Sequence, residues 1–362
     1  MEFQTNTPVN QRVQKVRWLR PAARSYGQQE LYLLAGLSGN NQADKVALYE
    51  CTSASVQSRG AAPLDFSATA KAVAKHPGDL LDMACIDEAT FATATSEGSV
   101  HFYNIAKENG RPGSLHHVTT IPTSPAERGS SGPSTCLAVQ PNVANAPELA
   151  VAGEDGRVTI MRADGACVVD TSATHSMSIT GLTWLSSSQI LAATSAGQLL
   201  LYDRNDLRKP VVLLYNLGLT AVWCSDDDLS TGINTVAVHP SQINKVAAGD
   251  QRGRVAVWDL RARQLAFSEF TQAHSAPVWE VRFHPLHSDQ LISCSDDNTC
   301  CITDWARSHD ERFSSLLQHR QRVRPVVHQL STMSANSIDY SVTGQVLACG
   351  SDSGQLLFYF ES

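Results

Sequence analysis

Apolar residues alternate with polar or small ones in short runs all along the chain, and a tight-turn signal interrupts the pattern at regular intervals. Alternation of period two marks strands with one face buried, and the runs are too short for helices. One unit recurs seven times: an apolar run, small residues, an acidic-glycine turn, then an alternating run ending in an aromatic. Clear copies are VAGEDGRVTIM (Val151 to Met161), AAGDQRGRVAVWD (Ala247 to Asp259), SCSDDNTCCITDW (Ser293 to Trp305) and ACGSDSGQLLFY (Ala348 to Tyr359). Weaker copies run Thr93 to Tyr103, Ala193 to Asp203 and, without the turn signature, Ala35 to Tyr49.

The turn positions Gly98, Gly156, Gly197, Gly253, Asn298 and Gly354 lie 41 to 58 residues apart, the spacing of four-stranded propeller blades. Glycine or asparagine belongs there because a tight hairpin turn needs positive φ. A third run precedes each hairpin, as in LDMACID (Leu81 to Asp87), INTVAVHP (Ile233 to Pro240) and VWEVRFHP (Val278 to Pro285), and reads as the innermost strand. Outer strands are expected between hairpins, at Thr69 to Ala74, Val118 to Ile121, Val211 to Tyr215 and Leu265 to Phe270. The chain stops after the third strand of the seventh unit, so Phe3 to Pro8 is expected to supply its outer strand and close the ring. The expectation is one all-β, seven-bladed propeller over 1–362, with blades near 12–63, 64–110, 111–165, 166–208, 209–262, 263–310 and 311–362, the last completed by 2–9. Residues 104–134 and 306–336 read as long polar linkers, the second carrying Arg320, Arg322 and Arg324.

Composition narrows the function. The chain has 362 residues, 42% hydrophobic and 17% charged, enough for a large core. A net charge of −7 argues against direct nucleic-acid binding or an anionic membrane surface, either of which needs a dominant basic face. No apolar run reaches membrane-spanning length, so no membrane insertion is expected and the protein reads as soluble and not secreted. The nine cysteines are odd in number, scattered and without a CxxC pair, and read as reduced core residues.

Trp258-Asp259 in the fifth unit, with Ala273-His274 where a glycine-histidine pair usually stands, resembles the WD40 family. That resemblance implies a hydrogen-bonded relay within a blade: His274, Ser293 and Asp297 match its first three places, while Thr303 stands where the family carries tryptophan. Asp155 matches the turn acid in the third unit, but Glu97, Ala196, Arg252 and Ser353 replace it elsewhere. A buried relay of this kind stiffens its blade.

VQKVRWLRP (Val13 to Pro21), GEDGRVTIMRAD (Gly153 to Asp164) and AHSAPVWEVRFHP with the following SCSDD (Ala273 to Asp297) also resemble the WD40 nucleoporins. These are peripheral propellers of the Y-shaped scaffold complex of the nuclear pore. The resemblance implies a non-enzymatic docking subunit at the nuclear envelope, monomeric within a hetero-oligomer. Its implied partners are α-helical scaffold nucleoporins of the short arm, its implied roles pore assembly and the transport of mRNA and protein, and it implies kinetochore association in mitosis. No cofactor, metal or small-molecule substrate is implied.

The remaining chemistry is sparse. Phosphate-binding loops, nucleophile elbows and metalloprotease helices are missing from the sequence, so no enzyme is expected. His116, His117, His284 and His287 lack partners at ligand spacing and read as surface or turn residues. Asp226 to Asp228 lack the spaced oxygens of a Ca²⁺ loop, and the arginines of the 320s offer at most an accessory phosphate contact. A rival reading starts from Trp258-Asp259-Leu260-Arg261, which resembles the WDxR box of substrate receptors that dock on the cullin-4 ubiquitin ligase adaptor, with Arg261 as the contact.

Overall fold

The computed structural model describes residues 3–19, 31–39, 42–53, 66–123, 132–140, 147–162, 168–171, 177–214, 231–261, 269–305, 323–325 and 333–360. Every regular element among them is a strand. The first, β1 (Phe3–Pro8), stands apart in sequence from its sheet. Blade one is β2 (Arg12–Trp18), β3 (Leu31–Gly39), β4 (Gln42–Ser53) and β5 (Phe66–Lys75); blade two is β6 (Leu80–Cys85), β7 (Thr90–Thr95), β8 (Ser99–Glu108) and β9 (Arg111–Pro122). Blade three is β10 (Ser134–Val139), β11 (Glu148–Gly153), β12 (Val158–Arg162) and β13 (Val168–Thr171); blade four is β14 (Ile179–Trp184), β15 (Gln189–Thr194), β16 (Leu199–Asp203) and β17 (Asp206–Leu214). Blade five is β18 (Ile233–Val238), β19 (Lys245–Asp250), β20 (Arg254–Asp259) and β21 (Glu269–Gln272); blade six is β22 (Val278–Phe283), β23 (Gln290–Ser295), β24 (Cys300–Asp304) and β25 (Val323–Pro325). Blade seven is β26 (Ala335–Ser341), β27 (Val346–Ser351) and β28 (Gln355–Phe360), completed by β1, which pairs antiparallel with β28 from Phe3 opposite Phe360 to Pro8 opposite Gln355.

Seven antiparallel sheets need seven interfaces to hide both faces, and seven apolar clusters supply them, one between each pair of neighbours. The cluster that closes the ring packs Val346, Ala348, Leu356 and Phe358 of blade seven against Val13, Val16, Leu33 and Ala35 of blade one. Phe66 of β5 adds a tilted ring contact with Phe358 at 4.9 Å. Because closure pairs the first strand with the last, both are locked into one sheet and the outer edge of β28 is covered by β1.

Two expectations need correction. The boundaries at 63/64, 165/166, 262/263 and 310/311 separate outer strands from their sheets, and those at 110/111 and 208/209 fall at or inside a hairpin of one sheet: β5, β9, β13, β17, β21 and β25 each pair with the strand before them. Hydrogen-bonding partners decide blade membership, and the turn spacing carries no information about them. The expected polar linker at 104–134 is mostly sheet, since β8 and β9 form a long hairpin. Asn109 and Gly110 turn it with φ of 52° and 80°, the positive pair that an Asn-Gly hairpin turn requires. Tyr215, Leu265, the Asp226 to Asp228 run, Arg320 and Arg322 lie outside the described residues.

Candidate functional site

The loop from β21 to β22 delivers His274 into blade six, where it is buried. Its Nε2 lies 2.8 Å from Ser293 Oγ on β23. Its Nδ1 lies 3.2 Å from Asp297 Oδ1 and 2.9 Å from Thr299 Oγ1. Thr299 donates its own hydroxyl to Asp297 Oδ1 at 2.6 Å, so its oxygen accepts from His274. Asp297 also accepts from the backbone N–H of Ser275 at 2.9 Å, which ties the loop to the β23–β24 turn. Thr303 is buried in β24 without reaching this group.

Burial pushes the His274 imidazole down, but the bonds to Asp297 and Cys301 outweigh it and raise its pKa to about 9. A folded-state pKa above the unfolded value near 6.5 gives a contribution fully present below pH 6.5 and lost as pH rises through about 9. We expect denaturant unfolding between pH 6 and pH 10 to lose on the order of 3 kcal/mol. His274→Ala should flatten that alkaline limb, and an unchanged limb in the variant would remove the relay as its source.

Blade two holds a shorter relay that the sequence reading missed. His76 Nδ1 donates to Gly78 O at 3.0 Å, and its Nε2 accepts from Thr93 Oγ1 at 2.8 Å. A signal was present: His76 stands four residues before the start of β6, as His274 stands four before the start of β22. The hydroxyls correspond as well, since Thr93 pairs with Met83 as Ser293 pairs with Val281.

The innermost strands surround a channel of about 1150 Å³. Each carries a bulge at the same place, between Val13 and Lys15 in β2 and between Val278 and Glu280 in β22, for example. In four blades the extra residue hydrogen-bonds a carbonyl of the next blade: Thr135 to Ile179 at 2.6 Å, Thr180 to Ile233, Asn234 to Val278 at 3.2 Å and Asn336 to Val13 at 3.0 Å. Trp279 takes that place in blade six and is 43% exposed. Bonds of this type contribute about 1 kcal/mol each and tie each blade to the next.

Deeper in the channel, Arg17 lies 3.0 Å from Glu280 and 3.3 Å from Asp82. Arg282 lies 2.8 Å from Glu280 and 3.0 Å from Asp339. The carboxylates also reach across blades to backbone N–H groups: Asp82 to Leu137 at 2.9 Å, Glu280 to Ile338 at 3.1 Å and Asp339 to Trp18 at 2.7 Å. Burial would raise the Glu280 carboxyl, but Arg17 and Arg282 outweigh it and hold it well below the usual carboxylate range. Glu280, so engaged, is held as an anion in a charge-paired wall, which suits it to a structural role.

The predicted turn residues Gly98, Gly156, Gly197, Gly253, Asn298 and Gly354 all have positive φ, from 67° to 83°. Arg261 is exposed and turned back on its own strand end, with Nε 2.9 Å from Asp259 Oδ1 and Nη2 2.5 Å from Oδ2. The hydrogen bond from Arg261 holds the Asp259 carboxyl down at about 2.

One end of the ring exposes large apolar side chains in three successive blades. Ile243, Leu286 and Val342 are 51%, 43% and 49% exposed, each in the turn leaving an innermost strand. Buried histidines shape two of these turns. His239 Nδ1 accepts from the N–H of Ser241 and Gln242 at 3.2 and 3.0 Å, and His284 Nδ1 from Leu286 and His287 at 3.2 and 3.0 Å. His284 is therefore an interior turn residue and not a surface one.

A β-propeller family model described as "Nucleolar protein 10-like, N-terminal domain" matches residues 133–333, blades three to six. The nucleoporin Nup43 of Homo sapiens is 30% identical, covering 77% of this chain and 78% of its own. Nup43 of Mus musculus is 29% identical over 95% of each chain. WD repeat-containing protein 76 of Xenopus laevis is 38% identical over 78 residues, 21% of this chain. The short match covers a fifth of the chain, whereas the similarity to the two nucleoporins covers 77% and 95% of it, and the chain belongs to the Nup43 family of WD40-repeat proteins.

Proposed function

We propose that this chain is a non-enzymatic scaffold subunit of the nuclear pore's Y-shaped outer-ring complex. It docks on an α-helical subunit of the short arm and supports pore assembly and, through it, transport of mRNA and protein. The observation that carries this is similarity covering 95% of both this chain and a curated nucleoporin. A ring whose charged channel groups bond one another is suited to presenting fixed loops, which is the physical requirement of a docking subunit.

The test is to tag the full chain, purify it from cells at moderately high salt and identify what comes with it. Near-equal recovery of helical nucleoporins supports the reading. Recovery of a cullin-4 adaptor in their place, lost on Arg261→Ala, overturns it. The exposed end at Ile243, Leu286 and Val342 is the face we assign to the helical partner, because large apolar side chains exposed in the same turn of three successive blades suit an interaction surface. Leu286→Ser with Val342→Ser is expected to weaken recovery at least about tenfold with thermal stability unchanged. Undiminished recovery would move the interface elsewhere on the ring.

A further inference from the structure

The outer edge of blade two carries a group of side chains that neither relay nor docking face uses. Along the β8–β9 ladder, His101 pairs with Thr120 and Phe102 with Thr119, then Tyr103 pairs with His117, so Val118 is an extra residue on β9. On a regular strand, positions 117 and 120 point to opposite faces. The bulge resets the alternation and brings both side chains to the face that carries His101. His117 lies sixteen residues from His101 in sequence, which is why no ligand spacing was visible there.

Three donor atoms result. His101 Nδ1 is 3.3 Å from His117 Nε2 and 2.8 Å from Thr120 Oγ1, and His117 Nε2 is 3.0 Å from Thr120 Oγ1. Two nitrogens bound to one tetrahedral cation at about 2.0–2.1 Å stand roughly 3.3–3.4 Å apart, so the imidazoles hold that spacing already. His101 Nε2 lies 3.0 Å from Ser99 Oγ, and donation there leaves the Nδ1 lone pair facing the other two atoms. His101 is buried, while His117 and Thr120 are exposed, so the triangle opens to solvent and leaves room for water ligands.

We propose that His101, His117 and Thr120 form a binding site for a borderline divalent cation of the Zn²⁺, Cu²⁺ or Ni²⁺ type. The two imidazoles supply the strong bonds and the hydroxyl a weaker third, with water completing the shell. Among the described residues no group of three His, Cys, Asp or Glu is placed to hold a metal ion, so the two imidazoles carry the affinity. Binding clips β9 to β8 at the free edge of the blade.

Calorimetric titration of the full chain with ZnCl₂, and separately with CuCl₂, in a non-coordinating buffer tests this. One saturable site is expected, weakened at least about tenfold by His117→Ala or the bulkier His117→Gln. His116→Ala should leave it unchanged, because His116 pairs opposite Asn104 on the other face and contacts Ser114 at 3.1 Å. In the Cu²⁺ form, electron paramagnetic resonance should count two nitrogen ligands in the parent and one in the His117 variants. The proposal fails if the His117 variants titrate like the parent, or if the parent shows no saturable site tighter than about 1 mM.

Discussion

Replacing Glu280 with alanine is expected to lower the stability of the ring by about 3–5 kcal/mol, among the largest effects of any single substitution in the channel. The Glu280 carboxylate accepts from Arg17, from Arg282 and from the Ser337 hydroxyl at 2.8 Å, and it binds the Ile338 N–H at 3.1 Å. Its removal strands guanidinium charge in the wall and unties blade six from blade seven. Asp82 and Asp339 still hold one arm of each arginine, which sets the lower end of the range. Glu280→Gln keeps the shape and part of the hydrogen bonding but not the charge, and should fall between the parent and the alanine variant. The exposed pair Lys107–Glu88, 3.6 Å apart, provides the contrast: Lys107→Ala should change stability by less than about 0.5 kcal/mol. Chemical denaturation of the three variants decides it. A Glu280→Ala cost near that of Lys107→Ala would mean that the channel wall is hydrated and the ring is held by its apolar interfaces alone.

Gly253→Ala is expected to cost more than about 3 kcal/mol, combining left-handed backbone strain with a clash against main chain. Gly253 has φ of 83° in the β19–β20 turn, and an added Cβ would overlap the His274 carbonyl oxygen and lie 2.8 Å from that of Ala276. The turn and the loop are also bonded, His274 N–H donating to Gly253 O at 2.9 Å, so neither can shift without disturbing the blade-six relay. Gly110 separates the two contributions. It has φ of 80° but open space around the Cβ position, so Gly110→Ala should cost only the strain, about 1–2 kcal/mol. Equal thermal shifts in the two variants would show that the loop carrying His274 yields freely.

The alternation of apolar residues, the turn glycines and the early Phe3 to Pro8 run were enough to read seven blades and their closure, because side-chain period and turn φ are properties of a few neighbouring residues. The resemblance to the WD40 family pointed to His274, Ser293 and Asp297, and the fold places Ser293 and Asp297 within hydrogen-bond distance of His274. The Asn109-Gly110 pair carries a hairpin signal of the same local kind, within the stretch expected to be a linker.

Other features depended on partners far apart in sequence. Blade membership of the outer strands follows from which edge each one finds, and the channel network joins Arg17 to a carboxylate 263 residues away. The same holds for His101, His117 and Thr120, which share a face because one extra residue at Val118 reverses the alternation of β9. Local chemistry determined the kind and number of the elements. Their register, and the side chains that meet across it, were decided only when the sheets paired and the ring closed, since a shift of one residue exchanges the faces of a strand.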